Sequence, residues 1–548
     1  MMEEVFGRSK SVFDPHTEPH YDVTSGQVAF FLIWISCSFI YILRLLNVSL
    51  PFGFLSDKDK VKNDEESANI SVKNEITIVV TSSKDEHIKQ NGRTEDVQKT
   101  LSTPSKELPI TKKELNTPVR TAPTIDEFLW NVAIFGAIMI LFFLFDYRKI
   151  MPILERVYNR DEFLFLVFLL FLVACAFTIK PTHDKILNRF QTEEWKGWMQ
   201  VMFVWYHVFA AKEWYNWIRV YIAAYVWMTG FGNFSFFWVK KDYSLYRFLK
   251  MQFRLNFLVT CLCVVTSNEY MLYYICAMHS YWFISVYVFM GTLKSWNTDP
   301  NKMLVKFVLY FLFNCAIFEI DFVRNNIFRP FKFLLGYTDR NPYVDDMHEW
   351  AFRAGLDHWA CFFGMVCAYN YPHFEKFMTE IEKSDKLRHK IFTKAAMIGS
   401  CLVALIIWYS IFMVKEKLDY NSSHAYSSLI PIIAFIILRN SFPVLRKFYI
   451  NLFAWLGKIT LETYLAQLHI YLQSNAKHFT GYFPNYHFLN FALATVIYVT
   501  IAYKLFNITT VFSAYLIPND MKKTAKNSFL IFSLFGVTYI SVAVLKWL

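Results

Sequence analysis

The sequence predicts an all-α fold, a polytopic transmembrane helical bundle, and three observations predict it. Of the 548 residues, 55% are hydrophobic and 19% aromatic, and the apolar residues come in blocks of about twenty, the length at which a helix crosses hydrocarbon. Only helices or a closed barrel satisfy their own backbone in lipid, and barrel strands would alternate over about ten residues. Most Lys and Arg sit in loops between apolar blocks, so the net charge of +11 reads as an orientation signal rather than a nucleic-acid footprint.

The first apolar block runs from Val28 to Leu46, after a tail carrying Arg8, Lys10 and Asp14. It lacks a small-residue cleavage pattern and is expected to be a retained signal anchor, so that 1–46 form a tail and anchor helix. Residues 47–125 turn polar, rich in Lys, Glu, Asp, Ser and Thr, and are expected to form a disordered tether. Residues 126–548 form the multi-spanning domain. Its candidate segments lie near 128–145, 163–179, 195–211, 218–238, 252–266, 270–291, 303–320, 356–371, 392–414, 426–440, 450–471, 487–506 and 528–546. With the anchor this makes about 13 to 14 segments. The nine cysteines lie in or beside apolar blocks, and the close pair Cys261 and Cys263 lacks metal-ligand spacing, so neither disulfides nor a metal site is expected.

The loops at 239–251, 372–391, 439–449 and 519–527 are basic and fall on one side if every segment spans, which makes that side cytosolic. The basic loop from Tyr147 to Glu162 then lands on the opposite side. A re-entrant 195–211 segment restores parity, and puts 47–125 in the lumen, with Asn69 and Asn421 as glycosylation sequons.

Ionisable groups at membrane depth are costly and mark sites. Lys196, Gln200 and His207, spaced by four and seven, share one helical side of an otherwise apolar stretch. Lys458, Glu462 and His469 repeat that spacing, and Lys458 with Glu462 equally makes a structural bridge. Glu349, Arg353 and Asp357 form a ladder at i, i+4, i+8, read either as an interfacial salt bridge or as acids that fix Arg353 as an anion clamp. Arg254 with Asn256 lies deeper than the snorkelling Arg247 and Lys250, and Arg219 follows Trp217 in a similar setting. The glycines of Thr229-Gly230-Phe231-Gly232 read as a site of close helix approach, not a phosphate loop.

Six ordered motifs stand together: EEWKGWMQ (193–200), YH (206–207), IRVYIAAYVWMTGFGNFSFFW (218–238), FRLNFL (253–258), HEWAFRAGLDHWACFFGM (348–365) and WLGKITLETYLAQLHIYL (455–472). From about Leu129 to the C-terminus the chain resembles the multi-spanning acyltransferase domain of fungal capsule-acetylation proteins, plant reduced-wall-acetylation proteins and the membrane half of animal sialic acid O-acetyltransferase. The animal protein also carries a luminal SGNH-type hydrolase-fold domain after its first helix. Here that interval is the polar tether, without a Gly-Asp-Ser or an Asp-x-x-His motif, an arrangement similar to the plant proteins.

The resemblance implies acetyl transfer from cytosolic acetyl-CoA to glycan hydroxyls in the Golgi lumen. Such chemistry needs a base near the hydroxyl, donors for the oxyanion and cations for the coenzyme A phosphates. His207 is the expected base or transient acyl acceptor, and the bland alternative is a histidine that hydrogen-bonds a neighbouring helix. Lys196 and Gln200 would orient it, His469 and Glu462 are further catalytic candidates, and Arg254, Asn256, Arg353 and Arg219 would hold the donor. The rival expectation is a transporter that delivers acetyl-CoA or acetyl to a separate luminal SGNH-type acetyltransferase.

Overall fold

The structure is a computed structural model that describes residues 22–46, 123–338, 345–473, 477–483 and 485–548. The polar segment 47–125, apart from 123–125, lies outside the described residues, and Asn69 with it. The helices in chain order are α1 (Ser25–Leu45), α2 (Ile125–Phe142), α3 (Arg160–Thr178), α4 (Arg189–Val208), α5 (Tyr215–Lys240), α6 (Leu245–Thr266) and α7 (Tyr274–Gly291). Next come α8 (Pro300–Glu319), α9 (Asp321–Phe328), α10 (Lys332–Leu335), α11 (His348–Leu356), α12 (His358–Lys383), α13 (Leu387–Trp408), α14 (Lys417–Ser427) and α15 (Leu429–Asn440). The last are α16 (Pro443–Arg446), α17 (Asn451–Lys458), α18 (Thr460–Ile470), α19 (His487–Leu516) and α20 (Met521–Trp547).

Short polar residues start many of these helices because their side-chain oxygens take the orphan N–H groups of the first turn. Thr24 forms a capping box with Gln27 ahead of α1, and Thr124, Asn159, Asn188, Ser244, Asp299 and Asp520 cap α2, α3, α4, α6, α8 and α20.

The long helices run back and forth between two ends, here called the His207 end and the Arg446 end. At the His207 end, Tyr147 donates to the Asp22 carbonyl at 2.7 Å and Lys546 reaches the Val23 carbonyl. A small antiparallel sheet also lies there, in which β1 (Ile153–Leu154) pairs with β5 (His478–Thr480), and β5 with β4 (Leu472–Gln473). At the Arg446 end, β2 (Ile179–Pro181) pairs with β3 (Phe448–Ile450), and Arg446 bonds both Asp184 and Glu382. Arg44 and Asp126 pair at 2.5 Å, so the chain leaves α1 and re-enters at α2 close together.

Among the described residues nine helices are long and apolar enough to cross a membrane, or ten if the bent pair α14 and α15 is one span. The expectation of about 13 to 14 segments is larger because it also counts α4, α5, α12 and the stretch containing α17 and α18, which are helical but too polar or too interrupted to qualify. Nor does α4 turn back on itself. It is one unbroken helix whose N-cap Asn188 donates to the Arg446 carbonyl, whereas near its other terminus the His207 carbonyl accepts from Arg156. The re-entrant expectation is therefore corrected, and the Tyr147–Glu162 loop sits at the end opposite the Arg446 loop.

Helices meet where glycines remove the Cβ. An added Cβ on Gly197 would fall 1.8 Å from the Phe453 carbonyl oxygen, and one on Gly457 would fall 1.9 Å from that of Glu193. Gly230 and Gly364 make the same reciprocal contact between α5 and α12, with clashes of 2.2 Å against Cys361 and Trp227 oxygens. The obstacles are backbone atoms, which cannot swing away. Gly230 thus permits the close approach expected of it, while Gly232 faces open space. Gly197→Ala and Gly364→Ala are each expected to destabilise the protein by about 1–3 kcal/mol or more, the cost of overpacking. Thermal unfolding in detergent checks this, with Gly232→Ala as the neutral control.

Candidate active site

His207 lies in the last turn of α4, where the helix reaches the bundle end. Its ring packs edge-on against Phe203 and Tyr206, with centroids 4.8 and 4.9 Å away. Its carbonyl accepts from Arg156 Nη1 at 3.1 Å, but its ring makes no hydrogen bond to any described residue. The bland alternative of a histidine satisfied by a neighbouring helix is not what the geometry shows. Both Arg156 and Arg353 lie close enough for their fields to act on the ring.

Arg353 comes from the short helix α11. Its Nε donates to Glu349 Oε2 at 3.0 Å, and its guanidinium sits 4.5 Å from the Tyr274 ring centroid. Burial works against its charge, but Tyr274 and Glu349 outweigh that and hold the guanidinium above its ordinary value. Tyr206, Tyr215, Tyr274 and Tyr464 surround this group electrostatically. The Glu349–Arg353 pair expected from the ladder is therefore present. Asp357 is not part of it, because α11 ends at Leu356 and Asp357 leaves helical geometry.

Asp357 is fully buried and pairs with Arg219 at 3.0 Å. Its other oxygen meets His424 Nε2 at 3.2 Å, and His424 Nδ1 meets Tyr420 Oη at 2.9 Å. Arg219 Nε and Nη1 are buried with no hydrogen-bond partner. Arg219, expected to help hold the donor, is thus a buried cation paired with Asp357. His424 went unnoticed in the sequence because its partners are Asp357, from a distant helix junction, and Tyr420 of its own short helix α14.

The remaining candidates fall into other groups. Lys196 pairs with Glu193 at 2.7 Å, and Tyr225 donates to the Lys196 carbonyl and, at 3.4 Å, to Gln200 Oε1. Gln200 Nε2 is buried without a partner. These two line α4 below His207, but neither bonds its ring. His469 is fully buried, with Nδ1 on Asp146 at 3.0 Å and Nε2 on the Tyr273 hydroxyl at 2.9 Å, so both nitrogens are engaged.

Arg254 forks onto buried Glu462, with Nη2 to Oε2 at 2.9 Å, while Thr509 bonds both partners. Asn256 is bound by Tyr270 at 2.5 Å and donates to Ser280 at 2.9 Å. Lys458 is exposed and separated from Glu462 by a break at Ile459, so the expected bridge between them is replaced by Arg254 to Glu462. The Asn421 sequon also faces inward: its Nδ2 is buried, and its Oδ1 accepts from Tyr215 at 3.0 Å. Among the described residues no group of His, Cys, Asp or Glu could hold a metal ion.

The fold defines a multi-pass membrane protein, with His207 and the Glu349–Arg353 ion pair near one bundle end. Residues 65–529 match the family described as the 10 TM acyl transferase domain found in Cas1p, and the chain belongs to that family of acyltransferases. It is 32% identical over 406 residues to the N-acetylneuraminate (7)9-O-acetyltransferase of Danio rerio, a match covering 70% of this chain and 50% of that protein. The chain spans about half the length of the curated relative it matches. No solved structure matches. The resemblance read from the six motifs holds.

Proposed function

We propose that the chain is a membrane O-acetyltransferase that takes acetyl from acetyl-CoA and places it on glycan hydroxyls, with His207 as the base and the Golgi as its compartment. The observation that carries this is an imidazole at the bundle end with no hydrogen bond to a described residue, in the field of an Arg353 held by Glu349, in a family of acyl transferases. An imidazole with a ring nitrogen free to accept is the side chain suited to take a proton from a hydroxyl near neutral pH. The acceptor hydroxyl oxygen attacks the thioester carbonyl as its proton passes to His207 Nδ1 or Nε2. The Arg353 donors not used by Glu349 stabilise the oxyanion. Collapse then breaks the carbon–sulfur bond, and the departing thiolate takes the proton back.

The transporter reading is favoured by the missing SGNH-type domain. Proteoliposomes containing this chain alone decide between the two. With labelled acetyl-CoA and a glycan acceptor, the enzyme forms a sugar acetyl ester; a transporter loads the vesicle with label and leaves the sugar unmodified.

The donor side is proposed to be the His207 end, which makes that end cytosolic and puts the 47–125 segment, leaving and returning at the Arg446 end, in the lumen. The Lys and Arg excess of the Arg446-end loops favours the opposite sidedness. Labelling Lys212→Cys in sealed, oriented vesicles with a membrane-impermeant thiol reagent settles which holds.

A further inference from the structure

Next to His207, a cavity of about 620 Å³ opens at the bundle end, lined by Glu155, Arg156, Tyr158, Ala210, Lys212, Glu213, Lys477 and His478. Three separate stretches build it. The loop after α2 brings Arg156, the turn after α4 brings Ala210 and Lys212, and the β4–β5 hairpin brings Lys477 and His478, held by the pairing of β1 with β5. Ala210 takes the left-handed conformation at φ 53°, a strained choice for a residue with a Cβ, and so turns the chain from His207 to Lys212 within the cavity wall.

The wall carries the cations Arg156, Lys212 and Lys477 against the carboxylates Glu155 and Glu213. Glu213 is already taken by Tyr158 and by Arg160 at 3.6 Å. Arg156 is half-buried and its guanidinium makes one hydrogen bond, to the His207 carbonyl, while neither it nor Lys212 has a carboxylate within ion-pair distance among the described residues. Burial alone pushes the Arg156 guanidinium down from its ordinary value, opposed by Tyr206. Outside the cavity lining, the exposed Lys417 lies 4.8 Å from the Tyr215 ring centroid, in the fields of Arg353, Arg219, Lys212 and Glu349. A wall whose cations outnumber its carboxylates attracts an anion. A guanidinium and flexible ammonium groups around an open cavity match phosphate oxygens.

We propose that this cavity is a phosphate-binding site, with Arg156 and Lys212 as its cations, positioned so that the phosphate-bearing reactant lies beside His207. This rests on the transferase reading for the purpose of the site but not for its existence. The phosphates belong either to the acyl donor or to a phosphorylated sugar acceptor.

Equilibrium binding to the full chain in nanodiscs tests it without turnover, using coenzyme A, pantetheine, and one sugar with and without a phosphate. Coenzyme A is expected to bind more tightly than pantetheine, and Arg156→Ala and Lys212→Glu are each expected to weaken it about tenfold or more, the scale of a lost charge-assisted hydrogen bond. Arg156→Lys should restore part of the loss. If only the phosphorylated sugar responds to these substitutions, the site stands and serves the acceptor. If neither coenzyme A nor the phosphorylated sugar loses affinity in Lys212→Glu, an exposed position at which folding is not at stake, the proposal is overturned. Charge-dependent coenzyme A binding by a wild-type protein that forms no ester would sink the transferase reading and leave the site standing.

Discussion

His207→Ala is expected to lower acetyl-ester formation by about 10² to 10⁴-fold, the range that general-base catalysis contributes, with the affinity for coenzyme A kept within a few-fold. The reason is positional. The His207 ring makes no hydrogen bond to described residues, so removing it breaks none, whereas the proposed transfer runs through that ring. His469→Ala makes the contrast. That ring bridges Asp146 and Tyr273 in the interior, so its loss leaves a buried carboxylate without its imidazole and should show first as lowered thermal stability. Steady-state rates and melting temperatures of the two variants separate a reacting histidine from a structural one. Equal rates for wild type and His207→Ala would remove that residue from the chemistry.

Arg254→Leu is expected to destabilise the protein by about 3–5 kcal/mol, because it strands a fully buried Glu462 without its cation. Among the described residues Thr509 alone remains to bond the carboxylate. The double variant Arg254→Leu/Glu462→Leu should recover much of the loss, since a buried ion pair often breaks even with apolar groups of similar volume. If Arg254 instead held donor phosphates, Arg254→Leu would weaken coenzyme A binding and leave the melting temperature alone. Unfolding and binding measured on the same preparations distinguish these outcomes, and the pair seen here predicts the first.

The sequence made the helical bundle legible because apolar length is a local property. His207 was legible for a related reason: its spacing from Lys196 and Gln200 marks a polar side on one unbroken helix. Periodicity failed where a helix ended. Extending one helix through Ile459 joined Lys458 to Glu462, and extending another past Leu356 joined Arg353 to Asp357, whereas the backbone breaks at both places. The true partners are far away in the chain. Glu462 takes Arg254 from 208 residues earlier, and His469 takes Asp146 from 323 residues earlier. No window along the chain contains such pairs. Orientation misled for another reason: parity was restored by folding α4 back, although its polar residues find partners inside the bundle, Glu193 with Lys196 and Glu194 with Arg439. The cations of the cavity wall were overlooked because Arg156 and Lys212 are ordinary loop residues until the β1–β5 pairing gathers their loops.

A structure of the purified chain with coenzyme A bound tests the central claim most directly. The account predicts density at the His207 end, with phosphates between Arg156 and Lys212 and the sulfur within reach of the His207 ring. Coenzyme A seated at the Arg446 end, or beside Arg254 with the Glu462 pair opened, would contradict it.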